Sequence, residues 1–328
     1  MKPPHSNRPD ERPRHGQPPR PPQDGQRSGG GYRPRDDSTR PGGPRPESRG
    51  AEATRAGAAR RDERQGEPRP AGKGFRPRHE APAQARAPDT PRGAVWIYGL
   101  HAVAAALANP ARRLRRLLLS EEAERSLAGR LPQPWPLGAE RTERGRLDHL
   151  LGRDVVHQGA ALLADLLSPP TLQQALDRAG PILVLDQVTD PRNVGAILRS
   201  AAAFGAAAVV TQDRNAPEET GSLAKAASGA LETMPLMRAV NIARTLIALK
   251  AAGCWVVGLD ADAPASLAGP PLAERRVALV LGAEGDGLRR LTRDTCDEVT
   301  KLAMPGAMES LNVSAAAAVA LYELARRG

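Results

Sequence analysis

The chain has only two cysteines in 328 residues, Cys254 and Cys296, both in apolar-flanked segments. Two lone thiols make neither a disulfide framework nor a metal-binding spacing, and they fit a reducing cytosol. Histidine is also scarce where it would count: six are present and none lies after His157. Histidine general-base chemistry and a Ser-His-Asp set are thereby removed from the C-terminal half. No apolar run approaches the ~18 residues needed to span a bilayer, and no apolar h-region marks a secretory signal. Arg-rich transit peptides are poor in acids, whereas residues 1–92 carry twelve Asp and Glu. The expectation is a soluble, cytoplasmic protein without a membrane partner.

What is abundant is charge of one sign at one end. Residues 1–92 hold 21 of the 47 Lys and Arg, so nine of the ten net positive charges sit there and the remainder is nearly neutral. The stretch is rich in Pro, Gly and Arg (RPRHGQPPRPPQ, RPGGPRPESRG), with Tyr32 and Phe75 its only aromatics. It cannot bury enough apolar surface to offset its chain entropy, which predicts a disordered Arg/Pro/Gly-rich tail over 1–92. Such a tail suits a polyanion, RNA above all, although RG and RP dipeptides are compositional and fit a plain solubilising extension too.

Order is expected from Val95. VWIYGLHAVAAALANP reads as a strand, a glycine turn and a helix ended by Asn109-Pro110; RRLRRLLLS reads as a strand that begins in arginines. EEAERSLAGRL is helical, PQPWPLGAERTERG a loop, and VVHQGAALLADLL a further strand, making a small α/β unit over 95–167. SPPTLQQALDRAG, with one helix, links it through 168–180 to a second unit at 181–328. There the pattern sharpens: ILVLDQV, AAVVTQ, CWVVGLD, RVALVLG and EVTKLAM are strands alternating with helices. The alternation predicts a largely parallel α/β sheet covered on both faces, with ligands beyond the carboxyl ends of its strands.

Three clusters fall at such ends: DPRNVGAILR, LGAEGDGL and MPGAMESLNVS. Taken singly they are modest. Asn193 reads equally as an N-cap and Arg199 as a solvated helix residue; Ser310, Asn312 and Ser314 crowd the start of a helix that one of them would suffice to cap. GAEGDG has the spacing of a dinucleotide turn, but Glu284 and Asp286 within it would repel a pyrophosphate, and no Gly-Lys-Ser/Thr makes it a P-loop.

In order and at this spacing, Asn-x5-Arg, Gly-Ala-Glu-Gly and Ser-Leu-Asn-Val-Ser resemble the SpoU (TrmH-type) RNA ribose methyltransferases of the SPOUT class, over about residues 95–328. Within that family IYGLHAV, VHQGAAL and LAKAASGALETMPLMRAVNIARTL look like the subgroup that methylates a guanosine of 23S ribosomal RNA. One departure is that relatives often read Ile-Pro-Met where this chain has Leu302-Ala303-Met304 and then Pro305. The resemblance implies an L30e-like RNA substrate-binding domain, then a SPOUT domain closed by a trefoil knot, in which Ala315 to Ala318 would allow close backbone approach. It implies S-adenosylmethionine as methyl donor, no metal, a homodimer, and 23S ribosomal RNA as partner. It places Gly282, Leu302 and Leu311 at the cofactor, and Asn193, Arg199, Glu284, Ser310 and Asn312 in the polar site. There Arg199, the basic residue of the first motif helix, would clamp a phosphate and stabilise an alkoxide, because a guanidinium holds its proton. A transfer-RNA ribose methyltransferase of the same superfamily and a non-catalytic RNA-binding assembly factor remain alternatives at this point.

Overall fold

The computed structural model describes residues 90–326 apart from 215, 268–271, 273–274 and 309. The expected tail over 1–92 therefore lies outside the described residues except for its last three.

The front module is a four-stranded sheet in the order β1-β4-β2-β3, built from β1 (Ala94–Tyr98), β2 (Leu114–Leu119), β3 (Ala139–Arg141) and β4 (Ala160–Asp165). β1 and β2 both run antiparallel to β4, while β3 is parallel to β2. β1 is buried on both faces, and its side chains alternate accordingly. Val95 and Ile97 meet α1 (Leu100–Ala108) and α2 (Glu121–Ala128), whereas Ala94 and Trp96 join Leu147 of α3 (Arg144–Leu151) on the other side. Two elements differ from the sequence expectation. The loop expected after Leu131 contains β3, and α3 follows it, a helix whose single fully buried leucine gives little periodic signal. β4 also starts later than expected, at Ala160, because Gln158 and Gly159 take left-handed φ values of 54° and 73° and turn the chain. His157 staples that turn: Nδ1 accepts from the Gly159 amide at 3.0 Å and Nε2 meets Asp148 Oδ1 at 2.9 Å.

After the short α4 (Leu172–Leu176), opened by a Thr171–Gln174 capping box, comes a seven-stranded sheet that is parallel throughout. Its order is β7-β6-β5-β10-β8-β11-β9. The strands are β5 (Ile182–Leu185), β6 (Ala208–Gln212), β7 (Leu236–Ala239), β8 (Trp255–Leu259), β9 (Ala265–Ser266), β10 (Val277–Leu281) and β11 (Glu298–Lys301). β5 and β10 are fully buried, as uninterrupted apolar runs in a doubly covered sheet must be. Leu183, Leu279 and Leu281 face α5 (Pro191–Ala203), α6 (Gly221–Ala227) and α9 (Val313–Ala325). Ile182, Val184 and Val280 face α4 and α7 (Ile242–Ala251), and α8 (Arg290–Thr295) packs beside α7. β7 and β9 were not anticipated. β7 alternates half-buried and buried positions behind Pro235, and β9 is a two-residue edge piece, too short for a periodic signal.

Candidate active site at the strand ends

α5 begins at Pro191, two residues before Asn193. Asp190 is its N-cap, accepting from the Arg192 amide at 2.8 Å, and Pro191 takes the first helical position. Asn193 is thus not the cap; it is freed for other contacts. The earlier start also places a second arginine, Arg192, on α5 beside Arg199. Arg199 is exposed and has no hydrogen-bond or ionic partner among the described residues.

Beyond β10 the chain folds back on itself. Ala283 and Gly287 exchange backbone hydrogen bonds of 3.1 Å, with Gly285 and Gly287 at φ 86° and 62°. A Cβ on Gly282 would stand 2.2 Å from the backbone of Gly287, so this glycine is required by the loop's own closure before any ligand is considered. The loop is tethered at its exit. Arg289 reaches fully buried Asp186 at the end of β5, at 2.6 Å from the guanidinium and 3.3 Å from the backbone amide. Asp186 escaped sequence reasoning; the only signal was an Asp directly after an all-apolar strand.

The fold-back carries Glu284 to the start of α9. One carboxylate oxygen, Oε1, accepts from Asn193 Nδ2 at 3.1 Å, from Asn312 Nδ2 at 2.6 Å and from the Val313 amide at 3.3 Å. Asn312 Nδ2 also lies 3.1 Å from Asn193 Oδ1. On its other side, Asn312 is the N-cap of α9: Oδ1 accepts from the Ser314 amide at 2.9 Å and from the Ser314 hydroxyl. Residues 193, 284 and 312 thus form one hydrogen-bonded knot of side chains drawn from three strand ends. A carboxylate at a helix N-terminus gains from the orphan N–H groups and the helix dipole. Glu284 is exposed, and its Oε2 has no hydrogen-bond partner among the described residues. Ser310 is exposed and makes no hydrogen bond to the trio; Leu302 is half-buried against the main core and Leu311 is exposed, at either end of the segment between β11 and α9. In the alanine run only Ala317 is fully buried, and Ala315 is exposed.

Fold and site together define a parallel α/β protein with a polar, carboxylate-bearing cluster beyond the ends of its central strands, preceded in the chain by a smaller α/β module. The chain belongs to the SpoU rRNA methylase family. Residues 180–322 match that family, and residues 96–170 match the RNA 2'-O ribose methyltransferase substrate binding family. The chain is 40% identical over 244 residues to the 23S rRNA (guanosine-2'-O-)-methyltransferase RlmB of Photobacterium profundum, covering 70% of this chain and 97% of that one. It is 41% identical over 243 residues to RlmB of Vibrio cholerae, covering 70% and 96%. Among solved structures, a TrmH-family RNA methyltransferase described as putative, from Porphyromonas gingivalis, superposes with TM-score 0.58 at 26% identity, over 72% of this chain and 91% of that one. The SpoU methyltransferase AviRb of Streptomyces viridochromogenes, solved with AdoMet, shares the fold with TM-score 0.59 at 22% identity, over 72% and 90%.

Proposed function

We propose that this protein transfers a methyl group from S-adenosylmethionine to the ribose 2'-hydroxyl of a guanosine in 23S ribosomal RNA. The observation that carries the reading is the joining of Asn193, Glu284 and Asn312, far apart in sequence, at the strand ends of a SpoU methylase fold. The relatives of about 40% identity that bear the 23S guanosine activity in their names give it its substrate.

The residues present suit the cofactor. Glu284 and Asp286 place carboxylates where a cationic sulfonium is bound more readily than a pyrophosphate, and Leu302 and Leu311 offer apolar surface for an adenine. Gly282, with no Cβ, completes the cofactor loop. Bound there, S-adenosylmethionine would supply a methyl already activated on sulfur. The protein's own work is to place and prepare the hydroxyl. Glu284 Oε2 accepts the hydroxyl hydrogen, its other oxygen being fixed by three donors. Asn193 and Asn312 hold that carboxylate still, and Ser310 hydrogen-bonds the ribose. Arg199 binds the neighbouring phosphate and steadies the alkoxide that forms.

The same reading makes the protein a homodimer, acting in the cytoplasm. Arg199 is outside the trio of its own chain, and α9 exposes an apolar face of Ala315, Val319 and Tyr322, the last two 46% and 54% exposed. Leu311, before the helix, and Phe204, edge-on to Tyr322 at 6.1 Å, extend that face. A knotted chain end and an L30e-like front domain belong to the same reading, as do the boundaries 95–167, 168–180 and 181–328.

The test is ribose-methylation mapping of protein-free 23S RNA incubated with the purified protein and S-adenosylmethionine. One guanosine should become 2'-O-methylated, and no 23S ribose methylation would refute the reading.

A further inference from the structure

The two modules meet along α6, and the seam is built for one fit. A Cβ on Gly221 would stand 2.3 Å from the Tyr98 ring and 2.4 Å from the Trp96 carbonyl oxygen; one on Gly229 would stand 2.9 Å from Ala105. Lys225 on α6 reaches across to Gln158 at 2.6 Å. Beside these close approaches lies Arg112, only 4% exposed. Its guanidinium pairs with Glu219, meets both oxygens of Glu232 at 2.6 and 3.1 Å, and returns to the Asp165 carbonyl oxygen at 2.8 Å. Asn109 Nδ2 adds a bond of 2.7 Å to Glu232, and the Leu167 amide one of 3.2 Å to Glu219. Among the described residues, every donor to the two carboxylates comes from the front module, and both acceptors come from the methylase module.

We propose that Arg112 is a positioning residue: its ion pairs with Glu219 and Glu232 lock the front module to the methylase module, so that RNA held by one meets the reaction site of the other in a fixed register. This rests on the function proposed above and adds to it what sets the choice of nucleotide. A buried ion pair contributes little stability over apolar residues of the same size, but one missing partner leaves a buried charge uncompensated. Burial already pushes the Glu219 carboxyl above the usual carboxylate range despite Arg112. An apolar seam tolerates sliding; a planar fork held by two carboxylates and a carbonyl does not. The neighbours Arg113 and Arg115 pair instead with Asp165, and Arg116 with Glu140, carboxylates of the front module itself. The segment that leads into β2 thus reaches the methylase module through Arg112.

The experiment compares the full chain with its Arg112→Met and Arg112→Lys variants. Three quantities are read: hydrogen exchange across the chain, S-adenosylmethionine affinity, and methylation of 23S RNA resolved by nucleotide. Arg112→Met should speed exchange only in peptides covering β1 and α6 and leave cofactor affinity unchanged. It should cut the rate at the target guanosine about tenfold or more, since small misplacements of substrate act on that scale. Methylation of other riboses should rise in proportion. Arg112→Lys, with charge but no fork, should fall between the two. If the Met variant does not fold, Glu232→Gln, which keeps the shape, must show the same redistribution. An unchanged site distribution in the folded variants overturns the proposal. So does a loss of cofactor affinity in step with turnover, because Arg112 is then only structural. If the unmodified protein methylates no 23S ribose while seam exchange still responds, the proposed activity has failed and Arg112 is reduced to a clamp.

Discussion

Asn312 does two jobs with one amide: its oxygen caps α9 and its nitrogen holds Glu284 and Asn193. The jobs separate by substitution. Asn312→Ser keeps a capping oxygen and loses the amide nitrogen that reaches Glu284 and Asn193, so unfolding temperature should hold while turnover falls. Asn312→Ala loses both and should also cost about 1 kcal/mol of stability. Thermal unfolding and turnover of the two variants check this, and equal stability losses would show that the cap role is absent. At Cys296, burial pushes the thiol from an ordinary 9.0 up to about 11, with Sγ donating to the Thr292 carbonyl at 3.3 Å. The unfolded thiol loses its proton near pH 9 while the folded one keeps it, so between pH 9 and 11 the folded state binds more protons and stability falls as pH rises. Denaturant midpoints of Cys296→Ala should decline less steeply over that window than those of the unmodified protein.

Elements fit here through glycines at close approaches. In α5, a Cβ on Gly195 would stand 2.6 Å from the Leu223 carbonyl oxygen of α6 and from the Ala226 side chain. Gly195→Ala gains about 1 kcal/mol of helix propensity, yet a backbone oxygen cannot yield as a side chain can. The net effect should be a lower unfolding temperature, by several degrees at about 2–4 °C per kcal/mol; a rise would show that the helices move apart freely. In the fold-back loop Gly282→Ala meets the Gly287 backbone. Calorimetry should show S-adenosylmethionine binding lost while unfolding stays cooperative. Intact affinity would remove this loop from the cofactor site.

For the whole molecule, the net charge is concentrated in the first 92 residues of the sequence. If residues 1–92 supply non-specific phosphate contacts, a 93–328 chain should bind RNA more weakly across sequences, with a shallower salt dependence between roughly 50 and 200 mM. Its site choice and cofactor affinity should not change. Equal salt slopes would make the tail a spectator. The exposed face of α9 predicts a particle near twice 34.7 kDa by light scattering; a monomer at micromolar concentration would count against the dimer.

The sequence by itself determined the parallel sheet and its strand ends. ILVLDQV and RVALVLG can be little other than strands buried on both faces, and period and composition act over a few residues. It also singled out Asn193, Glu284 and Asn312 as motif members, but not their meeting. That depends on the Gly282–Gly287 fold-back, the Asp190 cap that frees Asn193, and the placement of β10 beside β5, which bring Asn193 to Glu284, 91 positions on, and to Asn312, 119 positions on. Nor does RRLRR say which arginine is buried. The four arginines around Leu114 are equivalent until Glu219 and Glu232, over 100 residues on, are brought against one of them. Local pattern sets the elements; only packing of distant elements decides which polar side chain finds a partner, because that partner is not its neighbour in the chain.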